Sequence, residues 1–296
     1  MVKVKCKQKS ETSPTGWIAR EIYLDGYLKS NLDVGVKQLN KDFDQVWFVD
    51  GREGGGKTNI AVTCAYYVSR PEDRHTLINR IVPGIDKVKD VILDAKPFQS
   101  IVIDEAYGGM SATGFASKIN RVLQKMFTEI RAKNLFVFIV APSFMDISRY
   151  FAIWRSQCLL HVYTKGDERG YATFYNSNSK KKLYILGKKQ FYNYSVSKPN
   201  FIFRFTKEMD KIIDKKAYDD KKRKANLEKG DDDGINRNAL KRYIMERLEV
   251  MKDDEELKKK LPQKVWGNVF GVTSMTISRY LLEIEQNNHK GEQFII

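Results

Sequence analysis

The octapeptide Gly51-Arg52-Glu53-Gly54-Gly55-Gly56-Lys57-Thr58 constrains this chain more than any other stretch. It follows an apolar run, Gln45–Asp50, and opens a helix-compatible one, Thr58–Ser69. A loop this rich in glycine can curl until successive backbone N–H groups point inward, which side chains would otherwise block. The helix that follows adds the positive end of its dipole at the same spot. Together they predict a phosphate cradle built from the octapeptide and Asn59. Lys57 would set its ammonium on the β- and γ-phosphates of ATP, and the Thr58 hydroxyl would be a ligand to Mg²⁺.

A second stretch fits the first. Ile101-Val102-Ile103-Asp104-Glu105 is an apolar strand ending in two acids. Asp104 at the strand tip is placed to hold Mg²⁺, and Glu105 beside it to polarise an attacking water as general base. Leu135–Val140 is another buried strand, closed by Ala141-Pro142-Ser143, and Ser143 is the candidate γ-phosphate sensor at its tip. Apolar runs of strand length alternate with helical segments over 58–69 and 117–133. That alternation predicts an α/β fold with a parallel sheet buried on both faces. Beyond Arg155, Cys158–Tyr163 and Tyr171–Asn176 flank Lys165-Gly166-Asp167 and predict a hairpin. Leu183–Leu186 and Gln190–Tyr194 are expected to continue this antiparallel extension.

The set resembles the ASCE division of P-loop ATPases, in which a catalytic glutamate directly follows the strand-end aspartate and an extra strand separates that strand from the P-loop strand. The order of loop, Asp-Glu, helix, arginine, apolar strand and polar tip, over about residues 40–165, is similar to the HerA–FtsK branch of DNA translocases and packaging ATPases. It is also similar to zonula-occludens-toxin-like phage ATPases. The resemblance implies a homo-oligomeric ring, often hexameric, in which an arginine enters the neighbouring subunit's site. Arg131 and Arg155 are the candidates, with Arg149 behind them, and a surface or DNA-facing role stands beside that of the finger. The chain departs from the branch at the strand tip, where glutamine is usual and Ala141-Pro142-Ser143 stands.

The 296 residues carry a formal net charge of +15, which favours a polyanionic partner. Near the C-terminal end, Gln263–Leu282 fits a helix-turn-helix. Gly267 lets two helices approach, Gly271 supplies the turn, and Trp266, Phe270, Val272, Ile277 and Tyr280 form the inner face. Thr273 would cap a second helix, from which Ser274, Thr276, Ser278 and Arg279 reach DNA, with Lys264 on backbone phosphate. Expected domains are a lead-in at 1–40 that adds an edge strand or caps the core, an ATPase core at 41–205, a charged segment at 206–235 and the DNA module at 236–296. The charged segment reads equally as solvated helix or linker.

Three scattered cysteines and three distant histidines offer no disulfide framework or zinc spacing. No secretory leader and no membrane span is apparent, so a cytoplasmic location is expected, that of the host cell for a viral chain. The expected function is ATP hydrolysis coupled to DNA translocation, packaging or plasmid and viral DNA processing. The alternative is an ATP-controlled DNA-binding regulator without translocation.

Overall fold

The structure is a computed structural model of the chain. Its described residues are 2–84, 87–104, 124–225, 241, 244–246, 248, 249, 265, 266 and 273–292. The chain divides into two compact units, Met1–Leu227 and Glu228–Ile296. The first is α/β. Its centre is a seven-stranded sheet formed by β3 (Gln45–Gly51), β4 (Ile81–Pro83), β5 (Ser100–Asp104), β6 (Phe136–Val140), β7 (Cys158–Lys165), β8 (Glu168–Tyr175) and β9 (Phe201–Arg204). The strand order is β4-β5-β6-β3-β7-β8-β9. The first five strands run parallel, whereas β8 and β9 run antiparallel. A separate antiparallel pair, β1 (Val2–Lys9) and β2 (Trp17–Leu24), precedes it.

Side chains alternate across a strand, so the middle of a central strand needs apolar residues on both faces. β3 is buried at all of its positions. Val46 and Phe48 join one core, while Trp47 and Val49 join the other. The first core is completed by α1 (Gly26–Leu39), α2 (Lys57–Val68) and the β1–β2 pair. Trp47 stands edge-on to Phe136, Phe138 and Phe174 there. The second core is covered by α3 (Val88–Asp94), the helical residues 124–132, here α4, and α5 (Ser177–Lys189).

Three segments resolve or correct expectations. Of the two roles open to the lead-in, it takes the second: it covers the core and does not join the main sheet. β1 and β2 pair with each other, and Cys6, Ile22 and Leu24 turn into the core. α1 follows, capped by Asp25, whose carboxylate accepts from the N–H groups of Tyr27 and Leu28. The second segment is a correction: Leu183–Leu186 and Gln190–Tyr194 are not strands. Asn176 caps α5 by accepting from Asn178 and Ser179 N–H groups, and the buried positions Lys180, Leu183, Tyr184 and Gly187 recur at helical spacing. Tyrosine content suggested strand, but spacing and cap decide for helix.

Third, the segment from 206 packs on the first unit as far as 225. It contains α6 (Met209–Ile212) and a helix α7 over 215–225, opened by Asp214, whose carboxylate accepts from Ala217 N–H at 3.1 Å. Met209, Ile212, Ile213 and Tyr218 are buried in the first core. The boundary expected at 230–234 lies outside the described residues.

In the second unit, Ile244, Leu248, Trp266, Ile277, Tyr280 and Ile284 form a small core. The last three sit on α8 (Ser274–Glu292), which Lys241 meets through an ion pair with Glu283 at 2.5 Å. Among the described residues, no helix is long and apolar enough to cross a membrane.

Candidate nucleotide site

The glycine-rich loop joins the C-terminal end of β3 to α2, at the strand ends where open α/β sheets bind ligands. Two of its glycines are demanded by geometry. Gly51 has φ 128°, and a Cβ there would fall 1.9 Å from the Val162 carbonyl oxygen on β7. Gly56 has φ 102°, and its Cβ would approach the Phe205 ring to 3.0 Å. Larger residues would push the loop off β7 and off the segment after β9.

Beside the loop lies a cavity of about 460 Å³, lined by Glu53, Gly54, Gly56, Lys57, Thr58, Asn59, Asp104 and Val140 together with Met209, Lys215, Tyr218, Asp219 and Lys222. Lys57 is buried, and its Nζ donates to Gly51 O at 2.7 Å. Thr58 Oγ1 donates to Asp104 Oδ1 at 2.7 Å. That contact spans β6, since β5 and β3 are its two neighbours. Neighbouring strands lie about 4.8 Å apart, so the start of α2 and the end of β5 must both reach over the β6 tip for the two side chains to meet. A hydroxyl and a carboxylate are hard oxygen donors of the kind Mg²⁺ takes, and the lysine beside them suits phosphate. The residues present therefore fit a magnesium nucleotide.

Other expected positions fall in different places. Gly51 and Gly55 are buried beneath the loop, and Arg52 is exposed. Asn59 is engaged with the chain itself: it donates to Thr206 O at 2.7 Å and accepts from Met209 N–H at 2.9 Å, pinning the segment before α6 to α2. Ser143 caps the short turn Phe144–Asp146, accepting from Met145 N–H at 3.2 Å. Val140, not Ser143, is the β6 residue on the cavity wall. Arg131 and Arg155 sit near the N-terminal ends of the parallel strands, away from the loop. Arg131 pairs with Asp42 at 3.2 Å, and Arg155 with Asp44 at 2.6 Å, just ahead of β3. Glu105 lies outside the described residues.

Two groups of functional interest were not anticipated. The first comes from α7. Tyr218 Oη donates to Asp104 Oδ2, and Lys222 Nζ lies 3.0 Å from the same oxygen. Burial, then the Asp104 charge, pushes the Tyr218 phenol far up, so it stays a donor. Lys221 fixes α7 from its other side, donating to Ile78 O and Ile81 O at 3.1 and 2.8 Å. The only sequence signal was the spacing of Met209, Ile212, Ile213 and Tyr218 among many charges.

The second group surrounds Asp50, one residue before Gly51 and wholly buried. Its Oδ2 accepts from Phe144 N–H at 2.9 Å and from Tyr194 Oη, and its Oδ1 lies 2.8 Å from His161 Nδ1. Burial and the Asp50 charge raise the Tyr194 phenol strongly. Asp50 thus ties the β6 tip, β7 and the chain after α5 to the root of the loop.

In the second unit, Thr273 Oγ1 accepts from Thr276 N–H at 3.2 Å at the start of α8. Ser274 and Arg279 are exposed there, and Thr276 and Ser278 are half-buried. Ser278 Oγ donates to Ser274 O at 3.1 Å. Lys264, Gly267, Phe270, Gly271 and Val272 lie outside the described residues. No protein-family model matches the chain, and a search of curated proteins returns no match.

Proposed function

We propose that this chain is an ATPase of the ASCE type that acts on DNA, as a translocase or packaging-type motor with DNA recognition in its C-terminal unit. The observation that carries the reading is the Thr58–Asp104 hydrogen bond across β6, with Lys57 in the same cavity. The strand order supports it, because β6 lies between the strand that enters the glycine-rich loop and the strand that ends at Asp104. Thr58 and Asp104 would hold Mg²⁺, which when bound neutralises charge developing on the phosphates. Lys57 would grip the β- and γ-phosphates. Glu105, next in sequence to Asp104, would take the proton from the attacking water.

Ring assembly and a trans arginine belong to this proposal. Arg131 and Arg155 are held by acids of their own chain, so a finger from either would require releasing Asp42 or Asp44. A second reading, an ATP-controlled DNA switch, is favoured by one observation. α7 of the same chain contacts the Asp104 carboxylate, which would hold Mg²⁺.

The test is ATP turnover with and without long duplex DNA. Lys57→Ala should lower turnover by about two orders of magnitude or more. Glu105→Gln should keep ATP binding and lose turnover. Equal rates in wild type and Lys57→Ala would end the ATPase reading. Strong stimulation by duplex favours the motor, and slow turnover indifferent to DNA favours the switch.

A further inference from the structure

One face of the first unit is not used by the nucleotide site. α5 carries Lys180, Lys181, Lys182, Lys188 and Lys189 and no acidic residue. Lys180 is buried, and the other four are exposed. The helix has already committed its apolar side, with Leu183 and Tyr184 in the core. Gly187 meets the chain closely as well. A Cβ there would fall 2.6 Å from Met145 Cε and 2.9 Å from Asn193 O.

That close approach lets the chain after α5 fold back on the helix. Asn193 N–H donates to Gly187 O at 3.2 Å. The reversal places Phe191 and Tyr192 at φ 52° and 61°, a left-handed conformation that non-glycine residues resist. Tyr192 is tied down, its Oη donating to Asp146 Oδ1 at 2.7 Å. Phe191 is left 98% exposed, beside Lys188 and Lys189 in sequence. Near the start of α5 stands a second bare ring. Trp154 is 68% exposed, and Lys181 Nζ lies 4.6 Å from its ring centroid.

We propose that this face binds single-stranded nucleic acid, with bases stacking on Phe191 and Trp154 while Lys181, Lys188 and Lys189 meet phosphates. The proposal rests on the reading that the chain works on nucleic acid, and it adds a strand-state preference outside the C-terminal unit. Exposed rings among cations suit bases whose faces are free, and a duplex has none free along its length. A membrane surface is disfavoured, because α5 has no apolar stripe left to lay into lipid.

The experiment uses the full chain without nucleotide and a labelled oligothymidylate, followed by fluorescence anisotropy. Phe191→Ala and Trp154→Ala should each weaken binding by about tenfold. Both rings are largely outside the core, so the variants should fold. Replacing Lys181, Lys188 and Lys189 by Gln should shrink the slope of log affinity against log salt by about two. Duplex affinity should be unchanged in every variant.

Wild-type oligothymidylate affinity in both ring variants would overturn the proposal. So would equal losses for oligothymidylate and duplex, or a loss confined to phosphatidylserine vesicles. Nucleotide is absent, so none of these outcomes bears on ATP hydrolysis. Retained duplex binding separates failure of this face from failure of the DNA reading.

Discussion

Lys180 has carbonyl oxygens and no carboxylate as its partners among the described residues. It is wholly buried, and its Nζ donates to the carbonyls of Ala152 and Ile153 at 2.6 and 3.1 Å. Those carbonyls belong to the turn Tyr150–Arg155, so the lysine ties α5 to that turn. Burial pushes its pKa down to about 8 from 10.5. Below pH 8 the folded protein carries the full cost of a buried charge. Between about 8 and 10.5 the unfolded chain keeps a proton that the folded one has released, so stability from this group rises with pH. Lys180→Met removes the titration. Wild type should therefore gain about 2 kcal/mol over the variant between pH 7 and pH 9.5, read by urea unfolding at each pH. Parallel pH profiles for the two proteins would mean that Lys180 is not held as described. At this scale the sequence is most legible where one residue's role is set by its immediate neighbours. Lys57, Thr58 and Asp104 stand in short motifs and come together in the cavity. Lys180 stands in no such motif, and its burial depends on a turn some thirty residues away.

α7 is the element that reaches Asp104 from outside both sequence motifs. Its Tyr218 and Lys222 sit on the carboxylate oxygen that a magnesium ion would otherwise share. If ATP and Mg²⁺ use Asp104, the Lys222 cation competes with the metal for it. Lys222→Ala should then lower the Mg²⁺ concentration for half-maximal ATP turnover by about fivefold, while Lys222→Arg leaves it near wild type. A raised requirement, or turnover lost at saturating Mg²⁺, would show instead that Lys222 serves the nucleotide directly. The sequence left the segment from 206 open between helix and linker, because Met209, Ile212, Ile213 and Tyr218 are diluted by charge and their partners lie in elements distant in sequence, α2 and β2 among them. α5 is obscured for a different reason: β-propensity in its tyrosine-rich run outweighs the Asn176 cap and the helical spacing of Lys180, Leu183, Tyr184 and Gly187. β3, β5, β6 and the β7–β8 hairpin were legible for the opposite reason. Strands buried on both faces must be apolar throughout, and a hairpin announces itself by its turn.

For the whole molecule, the question is whether the proposed ATP turnover and the proposed DNA recognition are separable. The strand order, the glycine-rich loop and α7 all fall within Met1–Leu227. The second unit has an apolar cluster of its own, centred on Trp266, Ile277 and Tyr280. Among the described residues, the apolar clusters of the first unit are built from its own side chains and that of the second from its own. Removing 236–296 should therefore leave the first unit folded and its basal ATP turnover within about twofold of wild type. Duplex affinity should fall by about tenfold or more, because an exposed Arg279 and the polar start of α8 go with the deleted part. Stimulation of turnover by duplex should weaken in parallel, since a motor that no longer holds its track spends fewer cycles on it. Turnover and duplex affinity, measured on the same truncated protein, decide the matter. Undiminished duplex affinity would return the C-terminal unit to a packing or assembly role. Loss of basal turnover with the unit would mean that α7 needs the chain beyond 235 to hold its place over Asp104, and the two activities would then be one device.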